Sequence, residues 1–163
     1  MKRIVALLLS AVVSGAALAP VAAYADKPEH ADYKLVFRSA CDFRVSVHEQ
    51  GKVSVKTFKY RSGRFSYKQI FTSPGLKATF ENLQSGKTVR FNIAGPGITK
   101  VERGGSRSDA VLGPWGWDYN PETGQGGLWI TTGRAFTVYD KRGKLISFRF
   151  SGRLVDVCSA LAA

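Results

Sequence analysis

Residues 128–158 read LWITTGRAFTVYDKRGKLISFRFSGRLVDVC, and this stretch decides the fold class. Phe136 and Val138 alternate with Thr137 and Tyr139; Ile146, Phe148 and Phe150 alternate with Ser147 and Arg149. A period of two sends successive side chains to opposite faces of a strand, one face for a core and one for water. Gly133-Arg134, Gly143-Lys144 and Gly152-Arg153 punctuate these runs at the spacing of hairpin turns, where glycine supplies the positive φ that a tight turn needs. No helical period of useful length competes with this pattern.

The same grammar extends toward the N-terminus. Phe43, Val45 and Val47 alternate with Arg44, Ser46 and His48, and Val89, Phe91 and Ile93 with Arg90 and Asn92. Gly51-Lys52, Gly63-Arg64 and Gly86-Lys87 complete a set of six glycine–cation pairs, most of them read as hairpin turns. Short runs fall at about 33–38, 42–48, 53–60, 64–71, 76–82, 88–94, 98–102, 109–112, 128–132, 135–139, 145–150 and 153–158, or roughly nine or ten strands once some merge. Many short strands at regular spacing predict an all-β fold, a single-domain antiparallel β-sandwich or barrel. The strands share no fixed apolar period, so no internal repeat is read. Cations that follow turns at both ends of a meander should be dispersed.

Met1-Lys2-Arg3, the apolar runs Ile4 to Leu9, Ala11 to Val13 and Ala16 to Leu18, and the closing Ala23-Tyr24-Ala25 predict a secretory signal peptide over 1–25, cleaved before Asp26. Ser14-Gly15 and Pro20 interrupt it, and no run approaches the roughly 20 apolar residues of a membrane span. A mobile mature N-terminus is expected over 26–32 and one all-β domain over 33–163. The mature chain of about 138 residues suffices for one core, and the expected location is secreted and extracellular, with no transmembrane anchor. Export to an oxidising compartment predicts one disulfide bond, Cys41–Cys158, stapling the first strand to the last. Two separate thiols, or a metal pair, are the competing reading.

Lys and Arg number 24 against 12 Asp and Glu; without Lys2 and Arg3 the net charge of this basic protein is +10, which attracts polyanions. The span from Gly51 to Thr79 holds seven cations and no carboxylate. A two-residue turn at Ser62-Gly63 would pair Tyr60 with Phe65 and Phe58 with Tyr67 on one face, leaving Lys59, Arg61, Arg64 and Lys68 on the other. That basic face is a candidate polyanion site, against the plainer reading of a solvated surface over an aromatic core. A second candidate is the loop 114–121, in which Trp115, Trp117 and Tyr119 share a face if extended. Three rings can form a platform for a carbohydrate or lipid headgroup, or can pin the loop to the core.

Other chemistries find little support. Asp118, Asn120 and Glu122 alternate, but Gly124 falls one place late for a calcium loop. His30 and His48 are too few for zinc, and no metal or other cofactor is expected. There is no Gly-x-Ser-x-Gly elbow, and a two-carboxylate hydrolase would have to draw on Glu81, Glu102, Asp118 or Glu122, which nothing in the spacing links.

Asn82-Leu83-Gln84-Ser85-Gly86-Lys87, Phe91-Asn92-Ile93-Ala94-Gly95-Pro96-Gly97, Leu128 to Arg134 and the closing Ser151 to Leu161, with its Gly-Arg-x-Val-Asp-Val-Cys segment, resemble uncharacterised small secreted proteins of actinobacteria. The resemblance runs from about Cys41 to the end. It implies export and a paired N-terminal and C-terminal cysteine, and carries no activity. The expected function is that of a secreted, non-catalytic binding protein whose cations engage an anionic surface polymer. A carbohydrate-binding module built on the Trp115–Tyr119 loop is the alternative, and a small hydrolase a more distant one.

Overall fold

The computed structural model describes residues 27–120 and 126–162. The signal peptide read at 1–25 lies outside them, as do Glu122 and Gly124. Nine strands and one helix follow in order: β1 (Glu29–Phe37), β2 (Val45–Lys59), β3 (Phe65–Thr72), β4 (Lys77–Asn82), β5 (Thr88–Asn92), β6 (Gly97–Glu102), β7 (Arg107–Tyr119), β8 (Gly126–Tyr139), β9 (Leu145–Asp156) and α1 (Val157–Ala162). The pairing is antiparallel throughout, along the path β5-β4-β2-β3-β6-β7-β8-β9, with β1 on the other edge of β2.

The nine strands match the nine or ten expected, but several are longer than the runs that were read, because three of the six glycine–cation pairs are not turns. Gly63, Gly86 and Gly143 sit in connections between strands, whereas Gly51, Gly133 and Gly152 lie inside β2, β8 and β9. Runs 42–48 and 53–60 therefore belong to one strand, as do 128–132 with 135–139 and 145–150 with 153–158. The conformational freedom that suits glycine to a turn also suits it to a bend where two backbones touch. Gly113, Gly133 and Gly152 stand opposite one another across β7, β8 and β9, with φ of +81°, +147° and +148°. A Cβ on Gly133 would lie 2.2 Å from the Ser151 carbonyl oxygen, and one on Gly152 would lie 2.1 Å from that of Thr132.

At this glycine row the sheet folds over. Trp117 lies eight residues along β7 from Asp109, whose row across β8 reaches Phe148; flat strands would separate the two rings by roughly 26 Å. Their centroids are 5.8 Å apart. Between the two halves lies a core of Val111, Trp115 and Ala135, with Phe71, Phe148 and Phe150 against it. The other face of the folded-over half supplies Leu128 and Ile130 to a larger core, where they meet Val45 and Val47 of β2, Phe80 of β4, and Leu161 of α1. β2 serves both parts of the sheet, pairing with β1 and β4 up to the region of Gly51 and with β3 from Ser54 onward.

The chain ends are tied as expected in pairing but not in element. Cys41 and Cys158 form the disulfide, yet Cys41 lies in the β1–β2 connection and Cys158 in α1, so the bond joins a loop to a helix. Asp156 caps that helix, its carboxylate accepting the Ser159 amide at 3.1 Å and hydroxyl at 2.8 Å. Val157 and Leu161, one turn apart, face the core. β1 also begins earlier than expected: residues 29–32, read as a mobile terminus, pair with 50–53.

The segments that carry the resemblance have structural work. The Asn82 side chain accepts the Gln84 amide at 2.9 Å and shapes the turn ending at Gly86. Gly95 and Gly97 make room for Trp115, since a Cβ on Gly95 would come within 2.1 Å of the indole nitrogen.

The bend separates two kinds of glycine by stability. Gly63→Ala, with φ +87° and nothing within 4 Å of the added carbon, should cost about 1 kcal/mol from backbone conformation alone. Gly133→Ala adds the overlap with Ser151 and should cost roughly 4 kcal/mol or more, or abolish cooperative unfolding. Urea denaturation of both variants checks this order.

Candidate functional site

The hairpin expected to sort rings from cations is displaced by one residue. Phe58 pairs with Lys68 and Lys59 with Tyr67, because the connection from β2 to β3 is five residues, 60–64, rather than two. A slip of one moves every side chain to the other face, so rings and cations mix. Lys59 lies on the face opposite Lys68; Arg61 and Arg64 lie in the connection. Arg64 is paired with Glu102 at 2.6 Å, and Arg103 holds the loop by donating to the Tyr60 and Gly63 carbonyls. The four cations Lys59, Arg61, Arg64 and Lys68 therefore form no single basic face.

The same register builds a different one. On the outer face Phe58, Lys68, Lys100 and Ser108 stand in one cross-strand row over β2, β3, β6 and β7. Two residues along each strand lies the row Lys56, Ile70, Ile98, Ala110, Phe136 and Arg149. Lys56 and Lys68 place their ammonium groups 5.1 and 4.9 Å from the Phe58 ring centre, and Lys100 lies 5.5 Å from that of Phe65. The rings attract the cations and hold them in one patch. Glu102, the carboxylate that register brings to this end of the face, is engaged by Arg64. Sequence reasoning included Lys56 in the carboxylate-free span but missed Lys100, because their proximity depends on pairings across three strands.

Beside this patch the outer face is apolar. Ile98, Phe136 and Leu112 are 38, 40 and 50% exposed, and with Ile70 they line a groove of about 630 Å³ flanked by Arg134 and Arg149. The inner face of the same strands carries the small core of Val111 and Ala135 and, one row along, a polar group. Asp109 accepts the Thr99 hydroxyl at 2.6 Å and that of Thr137 at 3.4 Å, and meets Arg107 at 3.1 Å. Burial raises the Asp109 carboxyl above the usual carboxylate range despite Arg107 and the two hydroxyls. The expected alternation in β8 is thus inverted, with Thr137 buried and Phe136 outside.

The tryptophan stretch is not a loop but the second half of β7. Trp115 is 8% exposed, Trp117 donates its indole N–H to Thr131 at 2.9 Å, and the Tyr119 and Tyr139 hydroxyls are 2.8 Å apart. Burial, then the Tyr139 hydrogen bond, raises the Tyr119 pKa. Trp115 is buried in the protein's own core, and Trp117 and Tyr119 pack half-buried against it. Glu81, Glu102 and Asp118 fall on different strands, and none lines the outer groove.

A buried carboxylate that the sequence did not single out is Glu49, 2% exposed on β2 between β1 and β4. It accepts the Tyr33 hydroxyl at 2.5 Å, and burial raises its pKa against the opposing effect of that bond. Compared with protein-family models, with curated proteins and with solved structures, the chain matches none.

Trp117→Ala should lower stability by about 3–5 kcal/mol in denaturant titration, as truncation of a packed aromatic does. For Glu49, a pKa raised by folding means that the neutral acid's stability is fully present below the unfolded value near pH 4.3 and is lost as pH rises through the folded one. Glu49→Gln removes the charge and keeps an acceptor for Tyr33. The variant should therefore be more stable than the parent at pH 8, with the difference vanishing near pH 4, as read from urea midpoints at both pH values.

Proposed function

We propose that the protein is exported and acts by non-catalytic binding of an anionic polymer at the patch formed by Lys56, Lys68 and Lys100. The observation that carries this reading is the direct opposition of Lys68 and Lys100 across β3 and β6, with Lys56 beside the ring they share the face with. Like charges placed opposite one another destabilise a sheet. Three ammonium groups held over Phe58 and Phe65 form a cluster that a multivalent anion would neutralise. Export is supported by the signal-like residues 1–25 and by the Cys41–Cys158 bond, which suits an oxidising compartment. The resemblance to small secreted actinobacterial proteins points the same way. Among the described residues, no helix is long and apolar enough to cross a membrane.

Heparin serves as the probe polyanion. Affinity should fall steeply with salt, because neutralised charges on the polymer release counterions. Changing Lys56, Lys68 and Lys100 together to Gln should weaken binding by more than about tenfold and flatten the salt slope by roughly 2 to 3. Changing Lys52, Lys141 and Lys144, which are exposed elsewhere, removes the same charge and should have a smaller effect. Equal losses in both sets would reduce the attraction to net charge and reject the site.

A further inference from the structure

We propose that the apolar groove on the outer face binds the hydrocarbon chain of a single-chain anionic amphiphile, with the anionic head group held by Arg134 and Arg149. This site adjoins the lysine patch, Lys56 standing opposite Ile70, and goes beyond polyanion binding, since it requires an apolar chain.

The groove has the volume of a small-molecule site, about 630 Å³, and is open on its outer side, so a ligand would lie along its floor. Its floor is a stripe running across strands rather than along one. Ile70, Ile98, Ala110 and Phe136 stand in a single row over β3, β6, β7 and β8, a reach of roughly 14 Å at the spacing of paired strands. That is the shape of an extended acyl chain. Leu112, half exposed, widens the floor where β7 approaches the glycine bend.

The row is charged at both ends, Lys56 standing opposite Ile70, but only the β8–β9 end carries a pair of arginines. Phe136 is opposite Arg149 and Arg134 is opposite Ser151, so the two arginines are diagonal neighbours on the same face at the β8–β9 end of the stripe. Neither guanidinium forms an ion pair with a carboxylate among the described residues. Planar guanidinium groups match the oxygens of a carboxylate or phosphate, so an anionic head bonded here leaves its tail over Phe136 and Ile98. A neutral apolar ligand would not use the arginines. A small inorganic anion would not use the floor.

The register that exposes this floor also turns polar residues of β6, β7 and β8 inward. Phe136 and Ile98 face outward while Thr137, Thr99 and Asp109 of the same strands are turned inward, and an exposed apolar patch over buried polar groups is the informative departure from ordinary patterning. An acyl chain lying along the stripe would cover what the fold leaves exposed.

Calorimetric titration of the exported, disulfide-bonded protein with laurate, below its micelle concentration, tests the site. Laurate should bind one per chain, while acetate should neither bind nor compete and dodecyl maltoside should bind more weakly. The double change Leu112→Gln and Phe136→Gln, at exposed positions that leave both cores intact, should weaken laurate by about tenfold or more. Arg134→Gln with Arg149→Gln should weaken laurate by about tenfold but leave dodecyl maltoside unchanged. Heparin binding should be unaltered by Leu112→Gln and Phe136→Gln, which separates failure of this site from failure of the lysine patch. Laurate affinity unaffected by either pair would overturn the proposal. So would a groove variant that altered only sedimentation, which would make the face a contact between copies of the chain.

Discussion

The contact on which the rest of the molecule depends is backbone against backbone at Gly133 and Gly152. No side chain fits there: a carbon on either glycine would overlap a carbonyl oxygen of the neighbouring strand. With Gly113 in the same row, the absence of three Cβ atoms lets β7, β8 and β9 bend together without losing their pairing. A single bent strand would break the ladder, whereas three bent in register keep it. The bend brings Trp117 against Phe148 and Tyr119 against Tyr139. It also makes the first half of β8 an interior layer, with Leu128 and Ile130 buried on one face and Thr131 on the other.

The larger core is closed from outside the sheet. α1 is only six residues long, too short to persist by itself, and its order derives from Val157 and Leu161 in the core and Asp156 at its start. The disulfide fixes it to the β1–β2 connection, 117 residues away in sequence. Closing so long a loop restricts the unfolded chain by an amount worth roughly 4–5 kcal/mol in the chain-entropy picture. Glu49 works against this. Its carboxyl sits 2% exposed in the same region with the Tyr33 hydroxyl as its bonded partner, so the charged form weakens the fold that the disulfide strengthens.

The all-β class, the antiparallel pairing and the disulfide partners were legible, because alternation in Phe43–Val47 and Val89–Ile93 reports local geometry and two cysteines allow one bond. What was not legible depends on partners distant in sequence. Gly63 and Gly133 each precede an arginine, and only the carbonyl of Ser151, eighteen residues on, tells a bend from a turn. The β2–β3 register depended on whether the connection takes two residues or five, and one residue reversed the faces of Phe58 and Lys59. The tryptophan stretch was ambiguous for the same reason: alternation placed Trp115, Trp117 and Tyr119 together correctly, but burial required Phe148 and Tyr139 to fold onto them. Of the candidate residues, Lys68 keeps its place in the site now proposed, and Lys100 joins it from a strand that had no visible link to it.

The inverted strands pose a question that stability alone does not answer. Turning β8 over would bury Phe136 and expose Thr137, a gain of roughly 1.5–3 kcal/mol for the ring if fully covered. The register forbids it, because the parity that places Thr137 and Ala135 inside continues through Gly133 to Thr131, and in β7 the same parity carries Asp109 and Val111 through Gly113 to Trp115. A slip of one residue would set Thr132 or Arg134 against Gly152, where the backbones already touch, and would drive Trp115 off its seat on Gly95 and Gly97. The glycine row therefore fixes which residues of these strands face outward. Phe136 is held outward by contacts at Gly133, three residues away. An apolar stripe maintained this way keeps its shape whether or not anything occupies it. Such preorganisation lowers the ordering that a ligand must supply on binding.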